Sequence, residues 1–220
     1  PGDSGRAAGW YPAAGLLGGG EAAAAWWGFN QIFSPLAAAA LTLAVWAFLT
    51  GGLHLDGLAD CCDGLLNPSA PERRLEIMHD PRVGSFGGKG LVLVLVLKTA
   101  ALSSLPAGTM GFLAILLAAA SGRWLVLPAG LQPLARPGGM GADFARGLKP
   151  AALVWGGLIP LALAATTFPR GLAALLAALA TAGGVVLLAR HRIGGVTGDV
   201  FGAVIELSEL AVLLAFSAFG

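Results

Sequence analysis

Charged side chains are scarce in this chain: Lys, Arg, Asp and Glu together make up only 11% of its 220 residues. Hydrophobic residues make up 56% and the mean hydropathy is +0.79, so the chain is more apolar than a soluble domain can cover with polar surface. Cysteine is scarce too. Cys61 and Cys62 are adjacent, which excludes an unstrained disulfide between them and an extracellular disulfide framework. Since the net charge of +1 gives no sign of a nucleic-acid partner, the composition predicts a membrane protein.

Seven apolar stretches approach the length of about 20 residues that a helix needs to cross a bilayer. The first contains Glu21 and the last contains Glu206 and Glu209, which weakens both. We predict an all-α polytopic transmembrane helical bundle of about seven spans with a short cytoplasmic helical segment, folded as a single integral-membrane domain over residues 1–220. The predicted spans are 10–29, 34–50, 91–106, 111–131, 151–168, 171–189 and 201–219.

Lysine and arginine collect in alternate loops between these stretches. The loops after the second, fourth and sixth spans carry Arg73, Arg74, Arg82, Lys89, Arg136, Arg146, Lys149, Arg190 and Arg192. The opposite connections carry only Arg170. Because cytoplasmic loops of membrane proteins are enriched in Lys and Arg, we predict that these three loops face the cytoplasm.

The segment 51–64 is the longest polar segment and carries three closely spaced aspartates. If it is helical, at roughly 100° per residue, Asp56, Asp60 and Asp63 lie within about 60° of one another. Carboxylates so close repel each other, so the pattern indicates a bound cation. Oxygen ligands that act together with substrate phosphate are typical of Mg²⁺. The alternative is a solvated acidic helix start, which the leucines in the same segment disfavour.

Residues 78–90, at the end of the same loop, combine glycines with polar and basic residues just before an apolar helix. The candidates here are His79, Asp80, Arg82, Ser85 and Lys89. Backbone N–H groups and positive charge at a helix entrance can bind a phosphate. A flexible glycine-rich turn is the alternative.

A third group of candidates surrounds the start of the last span. Thr197 and Asp199 precede it, and Glu206 shares a helix face with Asp199 at a depth of about 10 Å along the axis. Ionisable side chains inside a span are costly and are functional candidates, although hydrogen bonding within the bundle would also explain Glu206. Arg123 and Arg136 are candidates as phosphate clamps or as partners of these acids.

Four of these segments also resemble a known family. The stretch GGLHLDGLADCCDGL at 51–65 resembles the signature of the cobalamin synthase family, the adenosylcobinamide-GDP ribazoletransferases. The stretches MHDPRVGSFG at 78–87, ARPGGMG at 135–141 and GGVTGDVFGA at 194–203 fit the same family in order and spacing. The adjacent cysteines are the main departure, since small or hydroxyl residues are expected there.

The resemblance implies a Mg²⁺-dependent enzyme of the bacterial or archaeal plasma membrane, the inner membrane where there are two, with its active site facing the cytoplasm. A ribose hydroxyl of α-ribazole, or of its 5′-phosphate, would attack the phosphate next to the aminopropanol arm of adenosylcobinamide-GDP. GMP would leave, and adenosylcobalamin or its phosphate would form. Membrane lipid is the further implied partner, and a homo-oligomer or a complex with other enzymes of the pathway stays open.

On this hypothesis, Asp56, Asp60 and Asp63 hold Mg²⁺, with Asp199 as a further metal ligand. Asp80 completes the metal shell or acts as general base, and His54 and His79 are the other candidate bases. The residues predicted to contact phosphate or substrate are Arg82, Ser85, Lys89, Arg123, Arg136, Thr197 and Glu206.

Two other classes of protein stay open at this point. A membrane transferase that uses a CDP-activated alcohol or a prenyl diphosphate also needs spaced aspartates with metal, although the spacing Asp-x₃-Asp-x₂-Asp differs from the patterns expected of either. A transporter could instead use Glu206, Glu209 and Arg123 along a pathway. It predicts acidic groups through the membrane, yet the outer loops carry almost no charge.

Overall fold

Helices account for the regular secondary structure of this computed structural model, which describes residues 2–218. No β-strand is found in that range, so the all-α prediction is confirmed. The helices are α1 (Asp3–Arg6), α2 (Tyr11–Phe29), α3 (Pro35–Leu49), α4 (Leu53–Leu65), α5 (Pro71–Ile77), α6 (Ser85–Ser103), α7 (Thr109–Gly130), α8 (Gly139–Gly147), α9 (Ala151–Thr166), α10 (Arg170–Ile193) and α11 (Gly198–Ser217). Phe219, the last residue of the seventh predicted span, lies outside the described residues.

The apolar helices indicate a multi-pass membrane protein. By length and hydropathy, α6, α7, α10 and α11 can each cross a bilayer alone. The helices α3 and α9 reach the required length only together with a neighbour across a sharp bend, 92° between α3 and α4 and 100° between α8 and α9. The structure thus contains four to six candidate spans, in rough agreement with about seven. One predicted span that is not among these candidates is the first, which forms α2. This helix has the full length, but its glycines and Glu21 lower its hydropathy.

The two most enclosed helices form the centre of the bundle. In their apolar windows, 72% of α11 and 67% of α7 are buried, against 28% each for α6 and α10. On the outside, α6 exposes Val92, Leu93, Val96 and Leu97, which is the surface that a helix facing lipid presents. The core therefore lies between α7 and α11, with α2, α4, α6 and α10 packed around them.

Small residues let α2 approach α7 closely. A methyl group at Gly15 would lie 2.6 Å from the carbonyl oxygen of Ala119, and one at Gly19 would lie 2.6 Å from the Ala119 Cβ. Membrane helices use glycine and alanine in this way because close backbone approach replaces the hydrophobic driving force that lipid does not supply.

A glycine turn sets the direction of α4. Gly51 and Gly52 have φ angles of 60° and 69°, in the left-handed region that favours glycine. The chain therefore turns sharply after α3. The axes of α3 and α4 differ by 92°. Because α4 does not continue along the direction of α3, we treat it as lying outside the spans, across one end of the bundle.

Candidate active site

Three polar segments meet at the end of the bundle where α4 lies. The loop after α7 pairs with the loop before α11: the N–H of Ala135 donates to the carbonyl of Val196 at 3.0 Å, and the N–H of Val196 donates to the carbonyl of Pro133 at 2.8 Å. The helix α4 packs directly on α11. The three segments that sequence analysis assigned to one side of the membrane are therefore neighbours in space.

Two glycines bring α4 into contact with the first turns of α11. A methyl group at Gly57 would lie 2.9 Å from the carbonyl oxygen of Asp199, and one at Gly202 would lie 3.0 Å from the carbonyl oxygen of His54. No larger side chain fits at this crossing without moving a helix. The crossing brings Asp60, about one turn after Gly57, near enough to Asp199 for their charges to interact, and Asp56 acts on Asp60 as well.

The carboxylates at this crossing carry uncompensated negative charge. Burial, followed by the charges of Asp199, Asp56 and Asp63, raises the pKa of Asp60 to about 7. Asp199 accepts hydrogen bonds from Thr197 Oγ1 at 3.0 Å and from Arg136 at 3.2 Å. Within residues 2–218, neither Asp56 nor Asp60 has a side-chain hydrogen bond or an ion pair, which leaves their oxygens free for a ligand.

Asp63 lies on the same helix but in a different environment. Its buried carboxylate accepts N–H groups of Gly84 at 2.7 Å, Gly87 at 2.9 Å and Phe86 at 3.1 Å. It thereby caps the first turn of α6, and a Cβ at Gly84 or Gly87 would collide with it. Asp63 joins α4 to α6, and its oxygens are already engaged by three donors.

The carboxylate oxygens at this crossing meet part of what a hard divalent cation requires. Among residues 2–218, no three acidic, histidine or cysteine side chains converge as a preformed metal cluster. Asp56, Asp60 and Asp199 nevertheless supply only oxygens around a region of excess negative charge. Mg²⁺ is commonly held by one or two carboxylates together with water and substrate phosphate, so these three aspartates suit it better than Asp63 does.

The loop before α6 borders a separate cavity. Arg82 donates to Asp80 from Nε at 2.9 Å and from its terminal nitrogen at 2.6 Å, and these hydrogen bonds lower the pKa of Asp80 to about 2. Both residues line a cavity of about 340 Å³ together with Ser85 and Asp63.

Two other candidates of this loop have their own surroundings. His79 is exposed, and the ammonium of Lys89 lies 5.6 Å from the ring centre of Phe86. Of the candidates in this loop, Asp80, Arg82 and Ser85 thus share one cavity, and Asp63 connects that cavity to α4.

A charged network lies inside the bundle. Lys98 Nζ donates to Glu206 at 2.5 Å and to Glu209 at 2.6 Å, and Arg123 donates to the other oxygen of Glu209. The ammonium also lies 5.3 Å from the ring centre of Trp46, within cation–π range. Two of the predicted substrate contacts, Glu206 and Arg123, are therefore bonded to partners within the protein.

An apolar cavity of about 650 Å³, which we call the aromatic cavity, opens between α2, α4, α7, α8 and α11. Three aromatic rings form one side: the ring centres of Tyr11 and Phe144 lie 5.3 Å apart, and those of Phe144 and Phe201 lie 5.5 Å apart. His54 and Arg123 also line it, and the Nδ1 atom of His54 is buried without a hydrogen-bond partner among the described residues. Sequence analysis missed this cavity, because helices distant in the chain build it.

A family model described as cobalamin-5-phosphate synthase matches residues 1–217. The chain belongs to this family. Several curated relatives bear the name adenosylcobinamide-GDP ribazoletransferase. The relative from Pseudomonas aeruginosa is 43% identical over 99% of this chain and 89% of its own length. The relative from Deinococcus radiodurans is 40% identical over 97% of this chain and 76% of its own length. The relative from Roseiflexus is 37% identical over 93% of this chain and 76% of its own length. No solved structure matches the chain at a comparable level of significance.

The motifs that indicate the cobalamin-5-phosphate synthase family coincide with the end of the bundle described above. Segment 51–65 is the turn and α4, and segment 194–203 is the start of α11 that it crosses. Segment 135–141 reaches the same place, since a methyl group at Gly141 would lie 2.6 Å from the backbone nitrogen of Gly198. These sequence motifs therefore form one spatial unit.

Proposed function

We propose that this membrane protein transfers the adenosylcobinamide phosphate group from adenosylcobinamide-GDP to α-ribazole or α-ribazole 5′-phosphate, releasing GMP and forming adenosylcobalamin or its phosphate. The observation that carries the proposal is the family match over residues 1–217. The relatives named for this reaction support it, since they align with nearly the whole chain. The carboxylates at the α4–α11 crossing, of which Asp56 and Asp60 have no side-chain partner among the described residues, support it as groups that could hold a metal ion against a diphosphate.

Asp56, Asp60 and Asp199 would hold Mg²⁺ at the α4–α11 crossing. When bound, the ion supplies positive charge that offsets the negative charge of the diphosphate. Arg136 donates to Asp199 at 3.2 Å, which places a cation beside these carboxylates. A guanidinium suits a phosphate because its donors match the oxygens in pairs. We therefore assign Arg136 to the transferred phosphate.

The remaining candidate site residues lie in two separate cavities. Asp80, Arg82 and Ser85 line the cavity beside Asp63, where Arg82 can meet a phosphate of the donor. His54 lies on the other side, in the aromatic cavity. A general base must reach the attacking hydroxyl, so the side from which the acceptor approaches decides between His54 and the pair of Asp80 and His79. The low pKa of Asp80, about 2, favours a role in holding Arg82.

The orientation of the site follows from charge. The loops at the α4 end of the bundle carry most of the lysines and arginines, and the distribution of these residues sets the topology of membrane proteins. We propose that this end faces the cytoplasm of a bacterial or archaeal cell.

The reaction is tested with purified protein in lipid nanodiscs. Adenosylcobinamide-GDP and α-ribazole are incubated with the protein with and without Mg²⁺, and GMP and cobamide are quantified by mass spectrometry. We expect equal amounts of both products, and only with Mg²⁺. A protein that releases CMP from a CDP-alcohol or diphosphate from a prenyl donor, and makes no cobamide, would refute the proposal. So would movement of the corrinoid into liposomes without chemical change.

A further inference from the structure

The metal and phosphate sites proposed above leave the aromatic cavity without a ligand of its own. Its volume is about 650 Å³, within the range of sites that bind small organic molecules. It adjoins the carboxylates: Gly139, Met140, Gly141 and Gly198 line both this cavity and a smaller one that contains Arg136 and Asp199. A ligand seated in the cavity could thus reach the proposed phosphate site past the first turn of α11.

The lining indicates a flat, mostly apolar ligand. Tyr11, Phe144 and Phe201 form a continuous aromatic side with ring centres 5.3 and 5.5 Å apart, and Leu53 and Ile205 add aliphatic surface. Aromatic rings prefer such offset or edge-to-face neighbours at 4.5 to 7 Å, roughly. A further ring would extend this arrangement.

The polar groups of the cavity argue against a guanine base. Asp143 already accepts the N–H of Gly2 at 2.8 Å and the hydroxyl of Ser4 at 3.4 Å. Arg123 is bonded to Glu209. The edge of a guanine carries several donors and acceptors, and besides the Nδ1 of His54, unpartnered among the described residues, the cavity offers few polar groups to meet them. Part of that edge would therefore lack partners, which is costly in an apolar site. A benzimidazole-type base has few polar atoms and avoids this cost.

Size argues against the corrinoid. A bicyclic base with one ribose fits a cavity of about 650 Å³, whereas a corrin macrocycle with its side chains and its adenosyl ligand does not. Of the three bulky parts of the two substrates, the corrin, the guanosine and the acceptor nucleoside, only the last has the dimensions and the polarity of this cavity.

We infer that the aromatic cavity binds the apolar aromatic base of the acceptor nucleoside and holds its ribose towards Asp199 and Arg136. The inference rests on the proposed function, because it concerns the acceptor of that reaction. It assigns Tyr11, Phe144 and Phe201 to acceptor binding and favours His54 as the group next to the attacking hydroxyl.

The experiment uses the substitution Ala14→Phe. Ala14 lines the cavity yet is exposed on α2, so a phenyl ring would enter the cavity without disturbing the helix packing. Ala24→Phe is the matched control, since Ala24 is an exposed alanine of the same helix and lies away from the cavity. Both variants and the wild type are measured in nanodiscs for the KM of each substrate. Direct binding of α-ribazole, without donor or Mg²⁺, is measured by equilibrium dialysis.

We expect Ala14→Phe to raise the KM of α-ribazole and its dissociation constant by about tenfold or more, with the KM of adenosylcobinamide-GDP unchanged. Ala24→Phe should change neither. The graded variant Ala14→Leu should lie in between. Unchanged acceptor binding in Ala14→Phe would overturn the inference, and so would an equal rise in both KM values. If the wild type binds α-ribazole but makes no cobamide, the proposed function fails, while the dialysis result still decides on the cavity.

Discussion

Two groups of charged side chains lie on α11 and its neighbours, and they differ in how their charges are compensated. Inside the bundle, Lys98 and Arg123 face Glu206 and Glu209, so two cations meet two anions and each carboxylate has a donor. At the end of the bundle, Asp56, Asp60 and Asp199 have one ion pair between them within residues 2–218, that of Asp199 with Arg136. The balanced group is complete without a ligand, whereas the acidic group is not.

The difference separates structural charge from functional charge. Burying an ion pair in an apolar medium is tolerated only when hydrogen bonds satisfy both partners, and the inner group meets that condition. The outer group keeps an excess of negative charge, and burial together with the neighbouring carboxylates raises the pKa of Asp60 to about 7. An arrangement that is unfavourable for the protein alone becomes favourable once a cation binds. On this argument, the inner group stabilises the fold and the outer group carries the chemistry.

The largest expected effect is on turnover in Asp60→Asn. The substitution removes a proposed metal ligand and also relieves repulsion among the carboxylates. We expect GMP release to fall by a factor on the order of 10³, while the melting temperature stays unchanged or rises. The control is Asp3→Asn, at an exposed aspartate paired with Arg6. Normal turnover in Asp60→Asn would show that Asp60 does not hold the metal and that the outer group does not carry the chemistry.

The inner group should respond in the opposite way. In Lys98→Met, two buried glutamates lose their shared cation, and breaking a buried pair costs about 3 to 5 kcal/mol of stability. We expect a clear drop in the denaturant midpoint of unfolding in detergent. Lys89→Met is the matched control, because Lys89 is an exposed lysine of the same helix. If Lys98→Met were as stable as the wild type but inactive, the inner group would belong to the chemistry.

Substitutions of Asp63 test whether the three aspartates of α4, Asp56, Asp60 and Asp63, act together. Asp63→Ala leaves three backbone N–H groups at the start of α6 without their acceptor, so we expect a loss of about 2 kcal/mol in stability. Asp63→Asn keeps one acceptor oxygen and should lose less. Thermal unfolding and Mg²⁺ titration of turnover are measured together. A variant with wild-type stability and a much weakened Mg²⁺ response would return Asp63 to the metal site.

The smallest expected effect comes from Gly57→Ala. The added methyl group would lie 2.9 Å from the carbonyl oxygen of Asp199, so α4 must shift away from α11 by a fraction of an ångström. We expect turnover to fall by about tenfold through misplacement of the carboxylates. Gly18→Ala is the control, because a methyl group there meets nothing within 4 Å. Equal turnover in the two variants would show that the crossing tolerates a wider gap.

The local features of this protein follow from its sequence, and the long-range ones do not. Hydropathy predicts α7 and α11, and helical periodicity sets Asp56 and Asp60 on one face of α4. The same periodicity includes Asp63, because nothing within α4 indicates that its oxygens are bonded to residues more than 20 positions away. Lys98 meets Glu209 across 111 positions. Such contacts depend on how the helices are arranged in space, which no local pattern specifies.

The link from Asp63 to the start of α6 has a mechanical consequence. This link ties α4 to one membrane helix, and the glycine crossing ties it to another, α11. The tilt of membrane helices responds to the thickness of the bilayer. A change in tilt between α6 and α11 would therefore alter the distance between Asp60 and Asp199. Measured across nanodiscs of different acyl length, turnover should pass through an optimum, so that the lipid sets the spacing of the carboxylates without touching them.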